Sequence, residues 1–223
     1  MRDAIGQVLP LAIGVALSPV PIIAVVLMLG TPRARTNGPA FILGWLVGLS
    51  LVGVIVLLVS SGADASDDDG PATWVSILKL VLGVLLLGLA VRAWRGRPRG
   101  DAGASLPKWM ATIDRFTPQR SAAMALALSA VNPKNLVLTV GAAAAIAQTG
   151  ADTGGQAVAL EVFVLLGTLG PGIPVAVYFL MGDRATRILD DLRTWMARNN
   201  AAIMAVICLV IGAKLIGDGI AGL

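Results

Sequence analysis

The sequence predicts an all-α, polytopic membrane protein whose six transmembrane helices form two inverted three-helix repeats. Composition is the first reason: of 223 residues, 57% are hydrophobic and only 13% are charged, and the mean hydropathy is +0.84. Soluble domains carry about 25% charged residues. The other reasons are a series of long apolar runs and a set of motifs that occurs twice. Together these features exclude a soluble enzyme, a disordered tail and a nucleic-acid-binding module.

Six apolar segments are long enough to cross a bilayer, whose hydrocarbon core requires about 20 helical residues. Each segment is a continuous apolar run without the two-residue alternation of a barrel strand, which indicates helices. The predicted spans cover approximately residues 9–30, 40–61, 74–94, 121–147, 157–181 and 201–221.

The charges of the loops predict the orientation. Lys and Arg collect in loops 31–39, 95–120 and 182–200, whereas loops 62–73 and 148–156 contain Asp and no basic residue. The positive-inside rule places the basic loops in the cytoplasm. We therefore expect a multi-pass protein of the cytoplasmic (inner) membrane with both termini outside.

The two halves of the chain repeat the same motifs in the same order. Residues 16–20 (ALSPV) match residues 127–131 (ALSAV), and residues 80–83 (LVLG) match residues 209–212 (LVIG). Each half has three spans, an odd number, so the second half is inverted, as is typical of secondary transporters. The predicted domains are a first three-helix repeat, a cytoplasmic basic linker with an amphipathic helix, and a second, inverted repeat: residues 1–94, 95–120 and 121–223.

Prolines interrupt the first and fourth spans at corresponding places near their middles. Proline removes a backbone donor and clashes with the preceding turn, and lipid cannot satisfy the backbone groups that are freed. Paired breaks of this kind indicate a transport site; kinks that only shape helix packing are the alternative. The predicted substrate-binding residues are Ser18, Pro19, Pro21, Asn132, Pro133, Lys134 and Asn135.

Ionisable residues within the spans indicate a functional or structural role, because a charge at the bilayer centre costs at least about 2.5 kcal/mol. Lys134 is predicted to face a polar cavity and bind a carboxylate or phosphate, helped by free amides at the broken helix ends. A structural ion pair is the alternative. Glu161, Asp218 and Lys214 are the candidates for proton coupling, and the last two share a helix face. For Lys79, the sequence favours a functional role and snorkelling to the headgroups equally.

Three further segments carry predictions. Span 5 contains a third interruption, predicted as a hinge or a packing feature, at Gly170, Pro171, Gly172 and Pro174. Segments 106–118 and 183–198 have apolar residues at helical spacing with basic residues between them. This pattern predicts short amphipathic helices in the headgroup layer.

The chain lacks several chemical groups. It has no His, and Cys208 is its single cysteine. This excludes a His-based metal site, a Ser-His-Asp triad and an intramolecular disulfide. We expect no enzyme activity, no cofactor and no metal; an intramembrane enzyme would have to pair Ser18 with Lys134.

The motifs resemble those of the lysine-exporter (LysE) superfamily, which pairs a proline-rich break in its first span with an N-P-K motif in its fourth. Within it, segments 16–21, 132–135 and 212–219 most resemble the GAP branch, also called Sap or sulfolipid-addressing proteins. The first break is S-P-V-P rather than the P-G-P of amino-acid exporters. The resemblance implies an actinobacterial exporter that moves peptidoglycolipids or related glycolipids toward the cell surface.

The leading hypothesis is therefore a secondary exporter of a glycolipid or other anionic amphiphile that works by alternating access. One alternative is an amino-acid or small-solute exporter of the LysE type. Another is a membrane scaffold that recruits the lipid-synthesis or export machinery of the cell envelope. The expected partners are membrane lipids and an amphiphilic substrate, not nucleic acid, and the small-residue helix faces would suit a homodimer.

Overall fold

A computed structural model describes residues 2–62, 66–67, 70–71, 73–97 and 108–223. These residues are almost entirely helical. The helices are α1 (Arg2–Ala16), α2 (Pro19–Leu29), α3 (Ala34–Gly62), α4 (Thr73–Arg95), a 3-10 helix (Lys108–Arg115), α5 (Pro118–Ala130), α6 (Pro133–Ala147), α7 (Thr153–Met181) and α8 (Asp183–Ala221). A two-residue antiparallel pair, β1 (Ser66–Asp67) with β2 (Gly70–Pro71), lies between α3 and α4.

Four of these helices, α3, α4, α7 and α8, are each long and apolar enough to cross a membrane. The pairs α1–α2 and α5–α6 also qualify when each pair is taken together, with bends of 51° and 63° at the breaks. The described residues thus contain four to six candidate spans, which confirms an all-helical membrane protein. The first pair begins at Arg2, several residues before the predicted start of span 1.

The two breaks form because the residue before a proline is disfavoured in the helical conformation. Ser18 and Asn132 are both extended, with φ/ψ of −80°/109° and −60°/122°. Pro19 and Pro133 then begin α2 and α6, at a position where a missing amide costs nothing. Both breaks predicted from the sequence are therefore present.

The break predicted in span 5 is absent. Helix α7 is continuous from Thr153 to Met181 and includes Pro171 and Pro174. Both prolines are buried and lie on one face, three residues apart, so neighbouring helices enclose the disrupted turns. A hinge at this position remains a prediction.

The two predicted amphipathic helices differ from expectation. Segment 183–198 is not separate, because it continues into the last span as the 39-residue helix α8. In the linker, the structure describes a 3-10 helix. Its residue Ile113 and the following Phe116 are buried in the protein core rather than facing the headgroups. Asn37 on α3 donates a hydrogen bond from Nδ2 to the Phe116 carbonyl (3.1 Å). Residues 106 and 107 and the Trp109 side chain, also part of that prediction, lie outside the described residues.

Helices approach closely where glycine removes a side chain, which is how membrane helices commonly pack. Helix α4 lies along α8, where Gly83 and Gly212 face each other; a Cβ on Gly83 would lie 2.9 Å from the Gly212 carbonyl oxygen. Helix α3 packs on α5, where a Cβ on Gly44 would lie 2.1 Å from the Ala122 carbonyl oxygen. In both places backbone meets backbone, which cannot move aside as a side chain can.

Gly44→Ala is therefore expected to lower the free energy of unfolding by about 1–3 kcal/mol, because α3 and α5 must separate to admit the methyl group. Gly88→Ala is the matched control, since nothing lies within 4 Å of a Cβ at that position on α4. Unfolding in mixed micelles by sodium dodecyl sulfate measures both. Equal stability of the two variants would contradict the close packing of α3 on α5.

Candidate functional site

The two helix breaks meet inside the bundle. Ser18, in the first break, donates a hydrogen bond from Oγ to Asn135 Oδ1, in the first turn after the second break, over 2.8 Å. Lys134 donates from Nζ to the Gly14 carbonyl oxygen near the end of α1, over 2.6 Å. Two residues adjacent in sequence, Lys134 and Asn135, thus join the halves of the chain across more than a hundred positions.

Lys134 binds a carbonyl that the first break leaves free. In a continuous helix the Gly14 carbonyl would accept from the amide of Ser18. Here the Ser18 amide donates to the Val15 carbonyl instead (3.1 Å). The negative end of α1 also favours a cation at this place.

Asn135 plays the same part at the second break. The Leu128 carbonyl would normally accept from the Asn132 amide, which donates instead to the Ala127 carbonyl (3.2 Å). Asn135 Nδ2 donates to Leu128 (2.9 Å) in its place. The Asn135 amide group is thus satisfied at both ends, by Ser18 and by Leu128, and the residue is fully buried.

Lys134 is a buried cation for which the described residues supply no counter-charge. Within the part of the chain that the structure describes, no carboxylate lies within 4 Å of its Nζ, and the residue is only 2% exposed. An ammonium carries three donors, and the single acceptor described for it is the neutral Gly14 carbonyl. This excludes a structural ion pair with any described residue, which was the alternative to an anion site.

The amides at the broken ends contribute less than expected. Pro19 and Pro21 have no amide proton, and the Lys134 amide is already capped by Asn132 Oδ1 (3.1 Å). An anion at this site would therefore find fewer free amides than expected and would depend above all on the Lys134 side chain.

The predicted site residues differ in accessibility. Ser18, Pro19, Pro21, Lys134 and Asn135 are buried, Asn132 is half-buried and Pro133 is exposed. Pro133 therefore starts α6 without facing the interior. Most of the polar side chains at the breaks are therefore buried and bonded to protein in this conformation.

The other ionisable residues of the membrane-spanning helices lie away from the breaks. Lys214 and Asp218 form an ion pair on α8, as their spacing predicts. Glu161 is exposed and lines a groove of about 560 Å³ between α3 and α7. Lys79 is buried and donates a hydrogen bond to Gln148 Oε1 instead of reaching the headgroups. None of these contacts involves Lys134, so the structure does not join the coupling candidates to the break.

Gly170 of the predicted hinge lies directly beside the first break. A Cβ there would lie 2.0 Å from the carbonyl oxygen of Ala16, the last residue of α1. Sequence reasoning placed Gly170 in a hinge but missed this contact, and it missed Gly14 and Gln148 as partners of the two buried lysines. Glycine and glutamine in an apolar chain give no signal of such roles.

Searches of curated proteins and of solved structures returned no significant match. A family model, described as Sap, sulfolipid-1-addressing protein, matches residues 8–221. The match includes both breaks and all eight α-helices at least in part, and it confirms the branch that the motifs predict. Membership of the LysE superfamily remains a prediction. The chain belongs to the Sap, or sulfolipid-1-addressing protein, family.

Proposed function

We propose that this protein is a secondary exporter that moves an anionic amphiphile to the cell surface by alternating access. The observation that carries the proposal is the meeting of the two broken helices at Lys134, a buried cation whose described partner is a backbone carbonyl. A bound acidic headgroup would supply the missing counter-charge. The family description, which names a sulfolipid, agrees with a substrate that is both acidic and apolar.

The inverted repeat that alternating access requires is supported by the helix contacts. Exchange of the two halves converts α1, α2, α3 and α4 into α5, α6, α7 and α8. Under this exchange the α3–α5 contact becomes the α7–α1 contact, and α3–α6 becomes α7–α2. The contacts α2–α8 and α6–α4 correspond in the same way, and α4–α8 maps onto itself. A two-fold relation between the halves would produce these pairings, whereas the extensive α1–α6 contact has no α5–α2 contact of comparable extent among the described residues.

The buried site corresponds to the occluded conformation of such a cycle. Two hydrogen bonds, Ser18 to Asn135 and Lys134 to Gly14, close the interface between the halves. An acidic headgroup would compete with the Gly14 carbonyl for Lys134 and so favour opening of the interface. Glu161, Asp218 and Lys214 remain our candidates for coupling this cycle to protons, and the cytoplasmic membrane with both termini outside remains the proposed location.

Purified protein in liposomes tests the proposal. The probe is phosphatidylglycerol that carries a fluorescent nitrobenzoxadiazole group, which dithionite bleaches only in the outer leaflet. In the presence of a proton gradient, we expect the labelled lipid to move between leaflets faster in protein-containing vesicles than in empty ones. This movement changes the fraction of the label that dithionite bleaches. Labelled phosphatidylcholine, which has no net charge, is the matched control and should move more slowly.

Two alternatives predict different results in the same vesicles. An amino-acid or small-solute exporter of the LysE type would release trapped lysine and leave the labelled lipid in place. A scaffold for envelope lipid export would be inert toward both, because it needs its partner proteins. Either result would contradict the proposed lipid transport.

A further inference from the structure

A second groove, separate from the breaks, lies where α2, α7 and α8 meet. Its volume is about 920 Å³. One wall is the last turn of α2 with its cap Gly30, a second is Tyr178 on α7, and the third is the beginning of α8. The sharp turn at Gly182, with φ of 54°, separates α7 from α8 and sets the direction of this third wall.

The charged side of the groove is basic. Arg184, Arg187 and Arg193 line it together with a single acid, Asp190. Asp190 pairs with Arg193 over 2.7 Å. For Arg184 and Arg187 the described residues provide no carboxylate within 4 Å, so two guanidinium groups are available to an external anion.

The opposite side of the groove is apolar. Val26, Leu27 and Leu29 of α2 line it, and Ile188 on α8, 40% exposed, faces the same space. Arginine forks match the planar geometry of phosphate and sulfate oxygens, while an aliphatic wall matches an acyl chain. A free small anion would leave this wall unused, so charge and shape together fit an amphiphile with an acidic headgroup.

The position of the groove relates it to the site at the breaks. Helix α2 forms a wall of the groove at its C-terminal end and leaves the first break at its N-terminal end. Its 11 residues, at about 1.5 Å each, separate the two places by about 16 Å. The arginines belong to a segment that the positive-inside rule places in the cytoplasm, at the level of the headgroups.

We propose that this groove is the cytoplasmic loading site for an anionic membrane lipid, with its headgroup between Arg184 and Arg187 and its acyl chain along α2. As a loading site it rests on the proposed export function. A lipid held here is half-extracted from the cytoplasmic leaflet and lies at the end of the helix that leads to Lys134. The groove thus selects acidic lipids before the interface between the halves opens.

Lipid retention measured by native mass spectrometry tests the groove. The probes are dioleoylphosphatidylglycerol and dioleoylphosphatidylcholine, which share acyl chains and differ in charge. We expect the wild-type protein to retain the anionic lipid, and R184Q/R187Q to retain it about tenfold more weakly, since each basic residue near the headgroups attracts an anionic lipid. Both arginines are exposed, so the double variant should fold. Ile188→Asn should weaken retention of both lipids by removing part of the apolar wall.

The matched control is R92Q/R95Q, which removes two exposed arginines from the last turn of α4, outside the groove. Unchanged retention by this control supports the groove, whereas an equal loss would reduce the effect to general surface charge and overturn the proposal. Wild-type retention by R184Q/R187Q would also overturn it. Transport is measured separately, as movement of the labelled lipid between leaflets. Lys134→Met should still retain lipid in the groove. Failure of the groove proposal is therefore distinguishable from failure of the proposed export function.

Discussion

Lys134→Met is expected to reduce transport of the labelled anionic lipid to the level of empty vesicles, a loss of at least about tenfold. A charge-assisted hydrogen bond contributes about 1.5–3 kcal/mol, and Lys134 is the cation that both breaks surround. Methionine has a similar length but no charge. The effect is measured as the rate at which labelled lipid moves between the leaflets of the liposomes, followed by the fraction that dithionite bleaches.

The same variant should remain folded, because two effects on stability oppose each other. Removal of an uncompensated buried charge is favourable, whereas loss of the hydrogen bond to the Gly14 carbonyl is unfavourable. We expect the free energy of unfolding to change by no more than about 2 kcal/mol. Thr139→Val is the matched control: it removes a buried hydroxyl of α6 that bonds only the Asn135 carbonyl of its own helix (2.8 Å). Wild-type flux in Lys134→Met would contradict the site.

Much of the fold was accessible from the sequence because membrane helices obey few, strong rules. Long apolar runs predict helices wherever water cannot satisfy the backbone, and proline predicts where a helix begins again. Both breaks were therefore predicted within segments 18–21 and 132–134, and the structure places them at Ser18 and Asn132. The same rule failed at Pro171 and Pro174, because buried neighbours stabilise a helix through a proline and the neighbours are a tertiary property.

The geometry of the site was less accessible, since it depends on which backbone groups a break leaves free. Backbone amides at the ends of α1 and α5 change their acceptors at the breaks. This leaves the Gly14 carbonyl free for Lys134 and the Leu128 carbonyl free for Asn135. Neither partner has a distinctive side chain. The loading groove was missed for another reason: its arginines were counted as orientation signals, and only the path of α2 beside α8 turns them into a site.

The breaks also show how polar side chains can replace the backbone hydrogen bonds that an interrupted helix loses. In most folded proteins a freed carbonyl is satisfied by a fixed partner. Here the Gly14 carbonyl is satisfied by Lys134 from the opposite half of the chain, and the Leu128 carbonyl by Asn135 from the next half-helix. Because each such bond replaces one that a continuous helix would make internally, it opens without unwinding any helix.

Asn135→Leu should be the most destabilising substitution at this interface, lowering the free energy of unfolding by about 3 kcal/mol. Leucine resembles asparagine in size but leaves the buried Ser18 hydroxyl and the Leu128 carbonyl without their partner, and each unsatisfied group costs about 1–3 kcal/mol. Unfolding in mixed micelles measures the loss. Asn132→Ala, which removes only a helix cap, should cost about 1 kcal/mol.

The double variant S18A/N135L separates the interface bond from the rest of the effect. Removing both partners of a buried hydrogen bond costs less than removing one, so Ser18→Ala should restore about 1 kcal/mol or more to Asn135→Leu, whereas in the wild-type background it should destabilise. Such a coupling energy is the signature of a direct contact. Independent, additive effects of the two substitutions would mean that Ser18 and Asn135 do not contact each other, and the proposed transport site would then lose one of the two bonds that close it.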